Sequence, residues 1–418
     1  MAHLLVVESW VGSMSRLLPR AIREGGHEFT FLTRDLHHYL RSAPEGTAHP
    51  LLGARNVITA DTNDIDALLP EVERLHSVLR FDGVITSCDY YLPTVARLAG
   101  RLALPGPGPE AVENACRKDA TRRVLADAGL PGPRFALHEE WAGLSRAARE
   151  IGYPLVVKPV DLCAGMYVRR VDDETQLAAA FRALADFPVN ARGQRRAPAV
   201  LLEELLDGPE VSVETVSSGG TVHVVGVTDK SVGGAPAFIE TGHMFPAALT
   251  PADTEAAEQT ALMALKALGL TDGVVAHTEI KLTSAGPRVV EVNPRPAGNR
   301  ITELVRHVTG IDLAAAFVDV ALGRTPDLRR TDTGLRSAAI GFLVPETGGT
   351  LESLAHDGLA DAPGVLEVQL AEPGRAVKAA GSNNEYLGHV MAGDPDGPGA
   401  RDRVESLLSG LRAGLVIR

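Results

Sequence analysis

Apolar residues recur along this chain in two alternating rhythms. Short solid runs at Leu4–Val7, Glu28–Leu32, Asn56–Thr59 and Gly83–Thr86 read as buried strands. Between them Met14–Glu24, closed by Gly25-Gly26, and Asp64–Leu79 repeat at helical spacing. Strand–helix alternation over the first hundred residues predicts a parallel, doubly wound sheet. Leu104-Pro105-Gly106-Pro107-Gly108-Pro109 then interrupts the pattern as a stiff linker. Beyond it, Pro109–Ala128 predicts a helix stopped at Gly129, followed by strands at Leu155–Lys158 and Met166–Val171 and a helix over Asp173–Leu184. Phe187–Pro198 is polar and rich in arginine, and reads as an exposed loop. Strands at Ala199–Leu206, Glu210–Ser217 and Val222–Asp229 lead through a helix, Pro251–Leu268, to a strand pair, His277–Leu282 and Arg288–Pro294. From about Arg336 the chain is Gly-rich with short alternating runs, Ala338–Val344 and Val365–Leu370, and predicts a small α+β appendage.

Composition narrows the class. At 418 residues the chain is too long for one core, and 45% apolar with 22% charged residues is the balance of a soluble globular protein. Lys and Arg number 41 against 53 Asp and Glu, a net charge of −12 that argues against nucleic-acid and anionic-membrane partners. No apolar run reaches the ~20 residues of a membrane span. Met1–Glu8 lacks the basic leader and cleavage site of a signal peptide. Cys88, Cys116 and Cys163 are odd in number and scattered, so neither a disulfide framework nor a zinc knuckle is expected. A reduced, cytoplasmic protein is the expectation. The turn after the first strand, Glu8–Ser13, carries no G-x-G-x-x-G, which disfavours NAD, and no P-loop motif occurs.

The richest stretch is the strand pair His277-Thr278-Glu279-Ile280-Lys281-Leu282 and Arg288-Val289-Val290-Glu291-Val292-Asn293-Pro294-Arg295. Alternation puts Glu291, Asn293 and Arg295 on one face. A three-residue turn with Gly286 in the left-handed position makes paired residues sum to 570, which sets Glu279 opposite Glu291. Two carboxylates and an amide oxygen are hard ligands suited to Mg²⁺ carrying nucleotide phosphates, and Arg295 can neutralise charge on a phosphoryl or acyl oxygen. Lys158 ends an apolar run before Pro159, and the loop Leu162-Cys163-Ala164-Gly165-Met166 offers backbone donors to phosphate. Lys118 is a second candidate phosphate contact. Glu203 and Glu204 are adjacent acids inside an apolar strand, so one must face inward and needs a donor, for which an adenine amino group is one candidate. Glu210, after the Asp207-Gly208-Pro209 turn, is placed to accept from ribose hydroxyls. Solvated faces are the plain alternative for each residue taken singly. The Arg192–Arg196 run reads as a solvated loop, with ATP capture the alternative.

Taken in order, these pieces resemble the ATP-grasp superfamily, and within it the carboxylate–amine ligases of the L-amino-acid (dipeptide) ligase type. Any one piece is common; six in the family's order are specific. The resemblance covers about residues 1–330, and the tail is similar to the C-terminal module of the same ligases. It implies an α/β multi-domain, ATP-grasp fold: an N-terminal parallel-sheet domain over 1–108, linker helices and a mobile α+β lid over 109–205, an α+β nucleotide- and metal-binding domain over 206–330, and a small C-terminal α+β module over 331–418. It implies Lys118, Lys158 and the Gly165 loop at the ATP phosphates, and Glu203 and Glu204 at the adenine hinge, with Leu205 or Leu206 offering backbone groups. Glu210 would hold the ribose, and Glu279, Glu291 and Asn293 would bind Mg²⁺. Two ions are implied, with Mn²⁺ able to substitute. Arg295 would stabilise the acyl phosphate and the tetrahedral intermediate. The phosphate loop departs from the family in having few Gly and Ser residues, which leaves its register open.

The implied reaction turns a carboxylate, taken to be an amino acid's, into an acyl phosphate at the expense of ATP and passes it to an amine, releasing ADP and phosphate. For the substrates, Glu240 can pair an α-ammonium, His243 or His277 can meet a carboxylate or act as a base, and Gly298 and Arg300 follow the metal strand, Arg300 suited to a bidentate carboxylate contact. Partners are small-molecule carboxylates and amines, and a homodimer is the assembly common among related ligases. A biotin-carboxylase-like enzyme, a phosphoribosylamine–glycine-type ligase and a non-catalytic ATP-binding regulator are the alternatives. The regulator is disfavoured, because mere binding needs no Arg295.

Overall fold

In the computed structural model, which describes residues 1–42, 48–354 and 358–418, the first strand, His3–Val7, is buried at all five positions. Leu4 and Val6 face a core shared with the helix Met14–Glu24, while Leu5 and Val7 face a second core with Leu68 and Val72. Burial on both faces is why this run is solidly apolar, as parallel strands are. The four strands are ordered Asn56–Thr59, Glu28–Thr33, His3–Val7, Gly83–Ile85, all parallel, as the alternation predicts.

A second four-stranded sheet runs Phe135–His138, Val200–Glu204, Leu155–Pro159, Arg169–Val171, with antiparallel pairing throughout. The helices Trp141–Ile151 and Glu174–Ala185 cover it through Leu144, Ala148, Leu177 and Leu184. The last of these strands is shorter than the apolar pattern predicts. Ala164, Gly165 and Tyr167 all take left-handed φ angles, 55°, 67° and 58°, which keeps 163–168 out of the sheet as a loop.

The largest sheet has eight antiparallel strands in the order Gly286–Asn293, Val274–Thr283, Glu210–Ser218, Thr221–Gly233, Ile239–Phe245, Ser337–Leu343, Gly388–Asp394, Val365–Leu370. It passes without a break from the strand pair to the C-terminal residues, across position 330. One face is backed by the helix Pro251–Leu268. Thr250 caps that helix by accepting from the Asp253 N–H at 3.2 Å, Pro251 opens it, and Gly269 closes it at φ 75°. Its Ala257, Ala261, Ala264, Leu265 and Leu268 pack against Val211, Val213, Val274, Ile280, Val289 and Val292. Those side chains alternate with Glu279, Glu291 and Asn293, which therefore look the other way, into a cleft. No helix among the described residues is long and apolar enough to cross a membrane.

Two local expectations are corrected. Pro109–Ala128 is two helices, Pro109–Cys116 and Lys118–Asp127, broken where Arg117 is extended (φ −110°, ψ 113°). The break frees the Lys118 N–H to donate to the Val160 carbonyl at 3.0 Å and turns the Lys118 side chain into the cleft. The strand pair turns on two residues, Ser284 and Ala285, so near the tip partners sum to 569, as in Ile280↔Val289. A bulge at Val290 restores the sum to 570, setting Glu279 opposite Glu291 and His277 opposite Asn293. The facing acids are thus as expected, for a different reason.

Gly208, in the turn that leads to Glu210, sits at φ 131°, and a Cβ there would lie 2.2 Å from the Leu282 carbonyl oxygen. Replacing Gly208 by Ala is expected to cost about 1–3 kcal/mol, seen as a lowered midpoint in thermal denaturation; an unchanged midpoint would mean the turn relaxes freely.

Candidate active site

The cleft between the three sheets encloses a cavity of about 520 Å³. The metal-type hairpin gives its floor Glu279, Glu291, Asn293 and, just past the strand, Arg295 and Gly298. Lys118, Lys158 and Gly165 line it from the linker helix and the second sheet, and Glu203 through Leu206 with Glu210 close one end. Glu240 and His277 also face it. Two of the residues read from the sequence do not. His243 is buried behind Glu240, its Nε2 3.1 Å from the Glu240 carboxylate. Arg300 points to a separate groove and pairs with Glu303 at 3.2 Å and Glu367 at 2.8 Å, so a substrate carboxylate inside the cavity is out of its reach.

Charges are compensated in pairs across this cavity. Glu203 is the inward-facing acid of its strand, and its donors are Arg122 at 2.5 Å and Lys158 at 2.6 Å, not an adenine amino group. Burial alone would push the Glu203 carboxyl up, but the two cations outweigh it and hold it down at about 2. Glu204, on the opposite face, pairs with Arg134 at 2.7 Å near solvent. Arg122 does more: its Nη1 and Nη2 donate to the Val289 and Val290 carbonyls at 2.8 and 2.9 Å, the bulge that sets the hairpin register. Lys118 joins Glu291 at 3.0 Å to the Leu162 carbonyl at 2.6 Å, tying the phosphate-type loop to the hairpin.

Lys230, buried on the central strand, has Glu279 at 2.9 Å, Glu210 at 3.1 Å and Glu240 at 3.3 Å. Burial opposes its charge, yet Glu240, Glu279 and Glu210 together raise its pKa well above that of an ordinary lysine. The same ammonium holds Glu240 and Glu279 well below the usual carboxylate range against their own burial. His277 lies between Glu214, at 3.0 Å from Nδ1, and Glu279, at 3.2 Å from Nε2. Burial would lower its pKa, but Glu214 and then Glu279 lift it to about 9. At neutral pH this histidine is a cation with both nitrogens donating, so it is no base toward an amine. Arg295 gives Nε to Asp89 at 2.7 Å, and the other Asp89 oxygen accepts from the Trp10 indole N–H at 2.6 Å.

Sequence reasoning passed over Arg122, Asp89, Trp10 and Glu214, and left Lys230 without a role. Lys230 and Glu214 had a legible signal: each is a charge inside an apolar strand, at Val227-Thr228-Asp229-Lys230 and Val211-Ser212-Val213-Glu214. Asp89 and Trp10 meet Arg295 only through tertiary folding and left none. The Arg192–Arg196 run is corrected at two of its arginines: Arg192 is 7% exposed and the Arg196 guanidinium is buried against the Phe187 and Leu184 carbonyls, while Arg195 is exposed.

The donor set suits a divalent cation brought in on phosphates. Two carboxylates and an amide are hard ligands on one wall, and Lys118 and Lys230 now hold the acids together. Among the described residues no group of three or more His, Cys, Asp or Glu side chains is arranged to hold a metal ion by itself.

Comparison with known proteins agrees with this architecture. Residues 151–303 match the ATP-grasp domain family, 20–106 the ATP-grasp N-terminal domain, and 341–416 the L-amino acid ligase C-terminal domain 2. An uncharacterized protein of Sinorhizobium fredii is 32% identical over 89% of this chain and 77% of its own length. Human carnosine synthase 1 is 33% identical over 62% of this chain, a stretch that spans 33% of that enzyme. The crystal structure of an L-amino acid ligase from Bacillus licheniformis superposes with a TM-score of 0.79 at 25% identity, covering 100% of this chain and 98% of that one. The chain is an ATP-grasp protein. It belongs to the branch that carries the L-amino acid ligase C-terminal domain, and is an ATP-dependent carboxylate–amine ligase.

His277 supplies a pH signature. Its folded pKa near 9 exceeds the unfolded 6.5, so its ion pairs stabilise the fold fully below pH 6.5 and fade as pH rises through 9. By linkage this is roughly 3 kcal/mol. Urea unfolding of wild type and His277→Gln between pH 6 and 10 is expected to show a stability gap that narrows across that window; a constant gap would refute the protonated pair.

Proposed function

We propose that this enzyme activates the carboxylate of an amino acid as an acyl phosphate and joins it to the amine of a second small molecule. The observation that carries this reading is the convergence of Glu279, Glu291, Asn293 and Arg295 on one cavity wall with Glu240 on the same cavity. The adenine would lie beside Glu203 and Glu204 against the Leu205 and Leu206 backbone, with Glu210 at the ribose and Lys118, Lys158 and the Gly165 loop at the phosphates. Glu279, Glu291 and Asn293 would hold magnesium, two ions in our reading with Mn²⁺ able to replace them, and the metal would supply neutralisation of phosphate charge.

The protein's own groups do the rest. Glu240, kept anionic by Lys230, suits the α-ammonium of the amino acid and turns its carboxylate toward the γ-phosphate, near Gly298. A carboxylate oxygen attacks phosphorus, ADP departs, and phosphoryl transfer needs mainly positioning and charge neutralisation. An amine nitrogen then attacks the acyl carbon, its C–N bond forms, the C–O bond to phosphate breaks, and the departing phosphate takes the proton lost from nitrogen. Arg295 sits where the tetrahedral oxygen gathers charge. The sheet of 135–204 acts as the lid that keeps water from the acyl phosphate. We take the working units to be 1–108, 109–205, 206–330 and 331–418. The three cysteines, all unpaired, suit a reducing cytoplasm.

ADP release measured with Mg-ATP and pairwise combinations of L-amino acids, with mass-spectrometric detection of the condensed product, tests this. Amide and ADP appearing together for some pair is the expected result; Mg-ATP binding with no turnover for any pair would leave a nucleotide-binding regulator instead. Arg295→Ala is expected to lower kcat about 10²-fold, with Mg-ATP affinity within a few-fold of wild type.

A further inference from the structure

Arg192 is buried although its run is polar and rich in arginine. It belongs to the segment between the helix Glu174–Ala185 and the strand Val200–Glu204, and so travels with the lid. Its turn is built to hold shape. The Asn190 carboxamide oxygen accepts from the Arg192 N–H at 2.9 Å and the Gln194 N–H at 3.1 Å, and the Asn190 N–H donates to the Gln194 carbonyl at 2.9 Å. That rigid turn plugs into the end of the N-terminal parallel sheet. The Arg192 carbonyl accepts from Arg34 Nη1 at 2.8 Å and Asn63 Nδ2 at 2.9 Å, and Gln194 Nε2 donates to the Tyr90 carbonyl at 3.2 Å. The guanidinium lies over the Trp10 ring, 5.3 Å from its centre, and over Tyr39 at 5.8 Å, and donates to the Ser9 carbonyl.

The socket is itself fixed. Glu8, in a left-handed conformation at φ 52°, accepts from the Arg34 N–H at 2.7 Å, Thr33 Oγ1 at 3.0 Å, Tyr39 Oη at 2.6 Å and Thr62 Oγ1 at 2.8 Å. A carboxylate so held lends negative potential to the cation above it. Trp10 links socket and active site. Its face carries Arg192, while its indole N–H donates to Asp89, whose other oxygen orients Arg295.

We infer that Arg192 is the latch of the lid and a positioning residue for Arg295, acting through Trp10 and Asp89. The inference rests on the proposed ligase reading. Lid closure seats Arg192 on Trp10, which fixes the indole, which fixes Asp89 and with it the guanidinium at the acyl carbon. Lid opening releases all four. The device makes oxyanion stabilisation conditional on water exclusion. Without the latch, water attacks the acyl phosphate carbon, the C–O bond to phosphate breaks, the free acid returns, and ATP is spent with no amide made.

The probe is Mg-ATP with an equimolar mixture of the twenty proteinogenic L-amino acids, reading ADP by coupled assay and amide by mass spectrometry. Trypsin cleavage after Arg196, whose guanidinium is buried in the closed state, reports loosening of the lid on the same full-length protein. Wild type is expected to release about one ADP per amide. Arg192→Ala is expected to raise that ratio several-fold and to speed cleavage. Arg192→Lys, which keeps the charge without the planar stacking, is expected to fall between. Trp10→Phe keeps an aromatic seat but loses the indole donor: cleavage stays slow while the ratio rises. An unchanged ratio in Arg192→Ala despite faster cleavage overturns the positioning role, and unchanged cleavage overturns the latch. Wild type yielding no amide from the mixture defeats the ligase reading instead, and the cleavage comparison then still decides the latch.

Discussion

A single buried guanidinium fixes the geometry on which the active site depends. Arg122 satisfies the two carbonyls exposed by the Val290 bulge, and the same side chain binds Glu203 on the lid sheet. A bulge leaves its backbone groups without ladder partners, and buried carbonyls without donors are costly. Arg122 meets that need, so the register shift that sets Glu279 opposite Glu291 is stabilised by a residue far from it in sequence. Lys158 then completes the charge on Glu203, and one helix, one lid strand and one hairpin become mutually dependent. Removing one member of a buried ion cluster of this kind typically costs about 3–5 kcal/mol, because its partners stay desolvated.

The rest of the cavity follows the same logic of acids held by buried lysines. Lys118 lies against Glu291 and Lys230 among Glu210, Glu240 and Glu279. Burial alone would push the Glu240 and Glu279 carboxyls toward protonation. Lys230 beside them holds both well below the usual carboxylate range. Under the proposed reading the wall is therefore charged before a metal arrives, and the acids would need only to exchange partners.

Much of this was legible in the sequence where a local rule governs. The N-terminal strands and the helix Pro251–Leu268 follow from periodicity and capping residues, and the acid face of the hairpin follows from strand alternation. Legibility failed where long-range packing overrides the local pattern. Arg117 and its neighbours have helical spacing, and only the bond from the Lys118 N–H to Val160 explains the break. The two-residue turn and the bulge cancel, so the pairing of Glu279 with Glu291 came out as expected through an incorrect loop length. His277 and Arg192 show the converse: Glu214 lies 63 residues from His277 and the Trp10 indole 182 residues from Arg192, so neither contact has a sequence signature.

The eight-stranded sheet also bears on how this enzyme can change. Ile239–Phe245, the strand of Glu240, lies directly against Ser337–Leu343 of the C-terminal portion, and Asn383 and Tyr386 from that portion hold the Glu240 backbone. The Glu240 end of the cavity and the C-terminal region are therefore one mechanical body. If Glu240 reads the substrate as proposed, recombination that exchanged the tail between two such proteins would exchange part of that selectivity with it, whereas a swap confined to the first hundred residues would carry Asp89 and Trp10 and so alter how Arg295 is braced.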